Sequence, residues 1–469
     1  MAPKKSKVKA AVARPTAPPR QAPPRTEAPR RAFAFAAIFV ALVAYGATRL
    51  RRAPRSTEGP KSDGPVSVLD DADAAVYSGS VRVYVHELPP AYNVDIAQGL
   101  LGRKATERIY RSAFLAEHAI HLELLTHPSR AQTRKEATHV YVPFYPQAFY
   151  LSMQYECETR GVAGIDALRR AKVERFQRCA AEAADDLDAI TKLLVQRVRR
   201  ESGDWDAGVE HVFSSSMDFG RCRGNMGASA TEPMAALAPA TCLAHVSPAQ
   251  SVCANVEKDL VIPPYVDAAA WASSADDKGN VAFFRGRVRA AGRGNELRRQ
   301  LVEVLRGVKA FDVDAIDAPE SPAILAPQAY RAAMRNAKLC LCVGGVAPWS
   351  PRLVESVLAG CVPVFVGESN SSPAGVDWKR AALYLPKVGP STEDWLRLRA
   401  ANETDSRARR LVLAEVRGRL VYRSVDDVVT SPKKSKRTAV DALLESLESR
   451  RLESREPRTR ETAESRRSL

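Results

Sequence analysis

The chain has 469 residues, 45% hydrophobic and 26% charged, with a net charge of +16. That length exceeds one ordinary hydrophobic core and implies two domains, and the apolar fraction excludes a wholly disordered or fibrous protein. The charge would suggest a nucleic-acid binder, but residues 1–60 hold 13 Lys/Arg against 2 acids and residues 431–469 hold 11 against 7, which leaves the body near +1 and argues against nucleic acid as a partner.

Residues 1–31 are basic and proline-rich and read as a disordered cytoplasmic tail. Residues 32–48, AFAFAAIFVALVAYGAT, carry no charge and lie between Arg30–Arg31 and Arg49, Arg51 and Arg52. They read as a single transmembrane signal anchor, the larger Lys/Arg count before it keeping the N-terminus in the cytosol. A cleaved signal peptide or a transit peptide is the alternative. A short span suits the thin bilayers early in the secretory route. The chain beyond Arg52 is then luminal, with residues 49–77 as a flexible stem and Asn370 (NSS) and Asn402 (NET) as glycosylation acceptors. The eight cysteines lack the paired CxxC spacing of a zinc site. In an oxidising lumen some would pair, Cys242 with Cys253 being one short loop, although spacing does not dictate connectivity.

The ordered body opens with the alternating strand Val81 to Leu88, then a helix from Thr106 to Leu125 and the strand ATHVYVPF. A long helical run, GIDALRR to RVRR, leads to the strand Glu210 to Ser216 and then to DLVIPP. The second half repeats the rhythm: strand Val281 to Phe284, a basic glycine loop, helix NELRRQLVEVLRG, strand VKAFDVD, helix PQAYRAAMRNA, strand KLCLCVGG, a helix, and strands VPVFVGE and AALYLP. Strand–helix alternation of this kind gives parallel sheets. The expected architecture is α/β, two Rossmann-like domains facing a cleft, 78–257 and 258–430. The tail 431–469, rich in Arg, Glu and Ser, has little to bury.

APWSPRLVESVLAGC, from Ala347, shows the site most directly. Ser350 suits an N-cap, Pro351 the first helical position and Gly360 the C′ stop, so a helix is expected over Pro351 to Ala359. It follows a strand, and in open α/β sheets ligands sit beyond the carboxyl ends of strands. Arg352 offers a planar fork for phosphate. Glu355, one turn on, repels phosphate but accepts hydrogen bonds from a ribose diol. Together they read as a nucleotide site; the alternative is a surface ion pair worth a few tenths of a kcal/mol.

The stretch CLCVGGVAPWSPRLVESVLAGCVPVFVGE resembles the signature of the exostosin glycosyltransferases, in particular the plant-type members. VYVHELPPAYN, THVYVPFYPQ, EHVFSSSMDFG, DLVIPP, FFRGRVR, ELRRQL and VDWKRAALYLP match in the same order, so the resemblance covers roughly Val81 to Lys387. It implies a GT-B fold and a type II Golgi membrane protein with its catalytic part luminal. It also implies inverting transfer from a nucleoside diphosphate sugar, such as a UDP-sugar, to a glycan or polysaccharide acceptor. By position it assigns Ser350, Arg352 and Glu355 to the nucleotide and Arg298 to the diphosphate, with Arg285 and Arg287 as further cations. Such cations stabilise a leaving diphosphate without a metal, and the aspartate groups Asp70 to Asp73 and Asp312 to Asp314 are poorly placed to hold one. No cofactor is expected. Inversion calls for a base from the first domain: Asp218, Glu87 or His86. The segment holding Asp218 reads SMDFG where the family has histidine before the aspartate, so Met217 replaces that histidine. The competing reading is a non-catalytic, membrane-tethered relative that binds glycan or nucleotide sugar and assists a partner transferase.

Overall fold

The computed structural model describes residues 77–455 except 105–106, 108–112, 161–172, 203–209, 226, 272–277, 289–292, 317–320, 322–323, 346, 368–370, 425–427 and 429–436. The expected anchor, 32–48, the stem up to residue 76 and Asn370 lie outside them. Among the described residues no helix is long and apolar enough to cross a membrane.

Two five-stranded, all-parallel sheets form the body. The first contains β1 (Val83–Val85), β2 (His139–Tyr141), β3 (Glu210–Ser215), β4 (Thr241–Ala244) and β5 (Leu260–Val261), side by side in chain order. Its helices are α1 (Val94–Leu101), α2 (Ala116–Thr126), α3 (Pro146–Thr159) and α4 (Val173–Ser202). The second contains β6 (Asn280–Arg287), β7 (Phe311–Ile316), β8 (Ala337–Val343), β9 (Val362–Val366) and β10 (Leu383–Leu385), ordered 10-9-8-6-7. With it go α5 (Arg293–Leu305), α6 (Pro327–Arg335), α7 (Arg352–Leu358), α8 (Trp378–Ala381), α9 (Thr392–Ala401) and α10 (Glu403–Val416). The doubly wound order reverses direction between β6 and β8, the switch point where such sheets open a ligand crevice. In the second sheet β8 and β9 read as nearly continuous apolar runs, as suits strands covered on both faces; all five residues of β9 are buried.

The division between the lobes falls later than expected. DLVIPP supplies β5, which pairs with β4 in the first sheet, so the first lobe extends past residue 257. A buried apolar run reads the same in either sheet, and only pairing decides. The tail departs further from expectation. Helix α11 (Ala439–Arg455) buries Val440, Leu443, Leu444 and Leu447 in the first lobe's core with Val83, Tyr141, Val212 and Leu243. Their i, i+3, i+4, i+7 spacing is one apolar stripe in a charged context. Its Asp441 lies 3.2 Å from His127 and accepts from the Tyr77 N–H, and Glu448 accepts from Tyr77 and Ser80. The chain's second lobe is thus tied back onto the start of the first.

Three disulfides join Cys157 to Cys179, Cys222 to Cys253 and Cys340 to Cys361. Cys253 therefore pairs with Cys222 rather than Cys242, which remains a buried free thiol, as does Cys342. Cys242 lies within β4, its N–H held by Asp259, so the strand's pairing fixes where its side chain points.

Candidate active site

Helix α7 begins one residue later than expected and is seven residues long. Ser350 Oγ accepts the Arg352 N–H at 3.3 Å. At the far end Gly360 adopts φ +63°, its N–H bonding to Val357 O and that of Cys361 to Ser356 O, a Schellman stop that favours glycine. The Cys340–Cys361 bridge ties β8 to the residue that follows this stop, so α7 sits inside a covalently closed loop.

Arg352 is not a surface cation. It is 7% exposed. Its guanidinium lies over the Phe284 ring, 4.8 Å from the centroid, and Nη2 donates to Arg285 O at 2.5 Å. Its Nε and Nη1 are buried without a well-formed hydrogen bond, although, against the lowering effect of burial, the Tyr330 hydroxyl and the Glu355 carboxylate lie near enough to raise its pKa. Glu355 does not pair with it directly. The carboxylate accepts the Tyr330 hydroxyl at 2.9 Å, and burial holds its pKa above the usual carboxylate range while Arg352 and Tyr330 pull the other way.

Arg298 bridges the switch point. It donates from Nη1 to Arg287 O at 2.9 Å, at the end of β6, and from Nη2 to Val343 O at 3.0 Å, at the end of β8. A Cβ on Gly345 would stand 2.8 Å from this guanidinium, so a side chain there would displace Arg298 from this position. Arg298 therefore holds the rim of the crevice together. Arg285 donates to Asp312 at 2.7 and 2.9 Å, with Asp314 at 4.0 Å, so strand β7 offsets its charge. Arg287 is exposed at the end of β6. Among the described residues no cluster of three or more His, Cys, Asp or Glu stands together as a metal site.

Asp218 faces this region from the first lobe. Its carbonyl accepts the indole N–H of Trp349 at 3.1 Å, which joins the loop after β3 to the loop before α7. The Trp349 ring also packs at a tilt against His245, centroids 4.6 Å apart, and meets Phe114 edge-on. Met217, at the family's histidine position, is wholly buried among Phe213 and Met234. Glu87 is exposed just past β1. His86 is buried; its Nε2 lies 3.3 Å from Glu201 on the last turn of α4, and burial, with Arg134 nearby, lowers its pKa. Its ring is thus engaged in packing against α4.

Five contributors escaped the sequence reading: Phe284 beneath Arg352, Tyr330 on Glu355, Trp349 across the lobes, and Glu117 and Asn225 behind Asp218. Glu117 is fully buried, and burial pushes its carboxyl up to about 8, against hydrogen bonds from the Ser216 and Gln147 N–H groups. Its signal was a lone carboxylate within the apolar run AFLAEHAIHLELL. The others depend on contacts between segments far apart in sequence.

The Exostosin GT47 domain pattern matches residues 78–396. A probable glucuronosyltransferase of Oryza sativa subsp. japonica is 29% identical over 307 residues, 63% of this chain and 63% of its own length. The probable beta-1,4-xylosyltransferase IRX10 of Arabidopsis thaliana is 25% identical over 351 residues, 71% of this chain and 75% of its own. Among solved structures, Anabaena HepE in complex with UDP and glucose aligns at TM-score 0.31 and 12% identity, covering 79% of this chain and 100% of that one, a likeness too slight to carry an argument. The family match spans well over half the chain and takes in both lobes and the loop of Arg352, and so the protein belongs to the exostosin GT47 family.

Proposed function

We propose that the chain is an inverting glycosyltransferase that binds a nucleoside diphosphate sugar in the crevice at the β6–β8 switch point. The observation that carries this is Arg352, a buried cation with two unmatched N–H donors. A desolvated guanidinium whose nearest carboxylate, Glu355, makes no direct ion pair with it leaves two donors for a ligand's oxygens. A diphosphate supplies the anion and the acceptor oxygens, and Glu355, held by Tyr330, is an acceptor for the ribose diol. In transfer, the acceptor hydroxyl oxygen attacks the anomeric carbon as the bond to the β-phosphate oxygen breaks. The hydroxyl proton passes to Asp218 and the nucleoside diphosphate leaves with the bonding pair. Charge developing on the leaving group falls on Arg352 and on the cationic rim of Arg298 and Arg287, so the reaction proceeds without a bound metal. The names of the relatives favour glucuronic acid or xylose as the sugar and a β-1,4-xylan-like acceptor.

The setting proposed is the Golgi lumen, with one N-terminal helix in the membrane and a type II orientation. Three disulfides support an oxidising compartment. The test is the full-length chain given UDP-xylose or UDP-glucuronic acid with xylo-oligosaccharides, with and without EDTA, and UDP titrated by calorimetry. Transfer that survives EDTA, with UDP binding lost in Arg352→Ala, supports the reading. UDP bound equally well by Arg352→Ala overturns it.

A further inference from the structure

Asp218 is held from behind by a closed circuit of buried hydrogen bonds. Its N–H donates to Asn225 Oδ1 at 2.8 Å. Asn225 Nδ2 donates to Gln147 Oε1 at 3.1 Å. The Gln147 N–H donates to Glu117 Oε1 at 3.2 Å, and the same oxygen accepts the Ser216 N–H at 2.7 Å. Ser216 lies two residues before Asp218, so the circuit returns to its origin. Glu117, Gln147 and Ser216 have no exposed surface and Asn225 is 9% exposed. The circuit joins α2, the start of α3, the end of β3 and the loop beyond it. On its outer side the same Asp218 backbone is held by Trp349 from the second lobe.

We propose that Asn225 is the positioning residue for the reaction's base, the one side chain through which the buried circuit sets the Asp218 carboxylate against the donor site. It rests on the reading of Asp218 as base. Asn225 alone in the circuit contacts the Asp218 backbone, and it does so with the acceptor half of an amide whose donor half is fixed by Gln147. The Asp218 backbone is held from both lobes, its N–H by the Asn225 amide and its carbonyl by the Trp349 indole. With the amide in place it stays in the first lobe's frame, where the acceptor hydroxyl is presented. Reacting groups misplaced by about 1 Å lose on the order of 100-fold in rate.

The experiment measures transfer from UDP-xylose or UDP-glucuronic acid to xylo-oligosaccharides by the full-length chain, with UDP affinity and melting temperature taken on the same samples. Asn225→Ala should lower kcat by about 100-fold while the KM for the nucleotide sugar and the UDP affinity stay within about twofold. Asn225→Asp, which keeps the acceptor oxygen toward the Asp218 N–H, should recover part of that loss. Gln147→Ala should lower kcat as well, and the double variant should be scarcely worse than Asn225→Ala alone, because a circuit broken once is already open. Full kcat in Asn225→Ala beside an inactive Asp218→Ala overturns the inference. So does a loss that follows the melting temperature alone, or a double variant whose losses multiply. An active Asp218→Ala overturns it too, by removing the base, whereas failure of the donor-site reading shows separately as UDP binding unaffected by Arg352→Ala.

Discussion

Among the described residues two arginines are buried, and their surroundings could hardly differ more. Arg221 is 3% exposed and Arg352 7%. Arg221 faces Asp259 with both ends of its fork, and its remaining N–H groups reach Leu237 O at 2.9 Å and Ala240 O at 3.1 Å. Asp259 in turn accepts the Cys242 and Asn255 N–H groups. That is a closed structural account: a buried pair with its donors and acceptors matched. Arg352 has one carbonyl, an aromatic face and, close by, the Tyr330 hydroxyl and the Glu355 carboxylate, but two of its N–H donors make no well-formed hydrogen bond. Burial with complete satisfaction holds a fold together. Burial with donors left over, next to a switch-point crevice, is the feature on which the proposed donor site rests.

The contrast breaks most sharply at Arg221. Arg221→Ala leaves Asp259 charged and buried and should lower unfolding stability by about 3–5 kcal/mol, measured by denaturant titration, while the protein that still folds keeps its UDP affinity. Arg352→Ala should do the reverse. It leaves Glu355 with the Tyr330 hydroxyl as a partner, so stability falls less than in Arg221→Ala, and transfer activity falls by about 100- to 1,000-fold. If both variants lost stability alike, the distinction between the two arginines would be wrong.

Much of this was legible beforehand, and the limits have physical causes. The strand–helix rhythm gave two parallel sheets because period and run length are local properties, and Ser350, Arg352 and Glu355 stood in one contiguous motif. The nature of the Arg352–Glu355 pair was not legible. Spacing puts them on one helix face, but Phe284 beneath Arg352 and Tyr330 on Glu355 come from segments distant in sequence and decide that the two meet through neighbours rather than as a direct ion pair. The domain boundary failed for the same reason, since β5 belongs to whichever sheet pairs with it. The tail was misread because its overall charge outweighed the four-residue stripe at Val440, Leu443, Leu444 and Leu447. Cys242 and Cys222 are separated only by which lies opposite Cys253 in space.

The covalent loop around α7 sharpens the comparison next. Cys340 and Cys361 close 21 residues of sequence separation that contain Arg352, and Arg221 has no such closure around it. A loop of that size contributes about 3 kcal/mol in the chain-entropy account. Cys340→Ala with Cys361→Ala should therefore lower stability by about 2–4 kcal/mol, and UDP affinity should fall more than in a variant lacking Cys157–Cys179, which lies in the first lobe. Equal losses of UDP affinity from the two deletions would show that the bridge does nothing particular for the Arg352 loop.

The last effect is read as a slope in pH rather than as a single loss. Glu117 is buried like Arg221 and has one oxygen, Oε2, left unmatched like Arg352. Here the group answers by holding a proton, its pKa pushed up to about 8 from 4.5 by burial. Between those values the folded chain binds a proton that the unfolded chain has released, so stability falls as pH rises, and the loss is complete above about 8. The slope contributed by this one group approaches about 1.4 kcal/mol per pH unit within the window. Glu117→Gln keeps an oxygen for the Ser216 and Gln147 N–H groups and cannot ionise, so its stability curve between pH 5 and about 8 should be flatter than that of the natural chain. Equal slopes would mean that Glu117 is ionised in the fold and that its second oxygen meets a donor, which would place it with Arg221 as a fully matched structural charge.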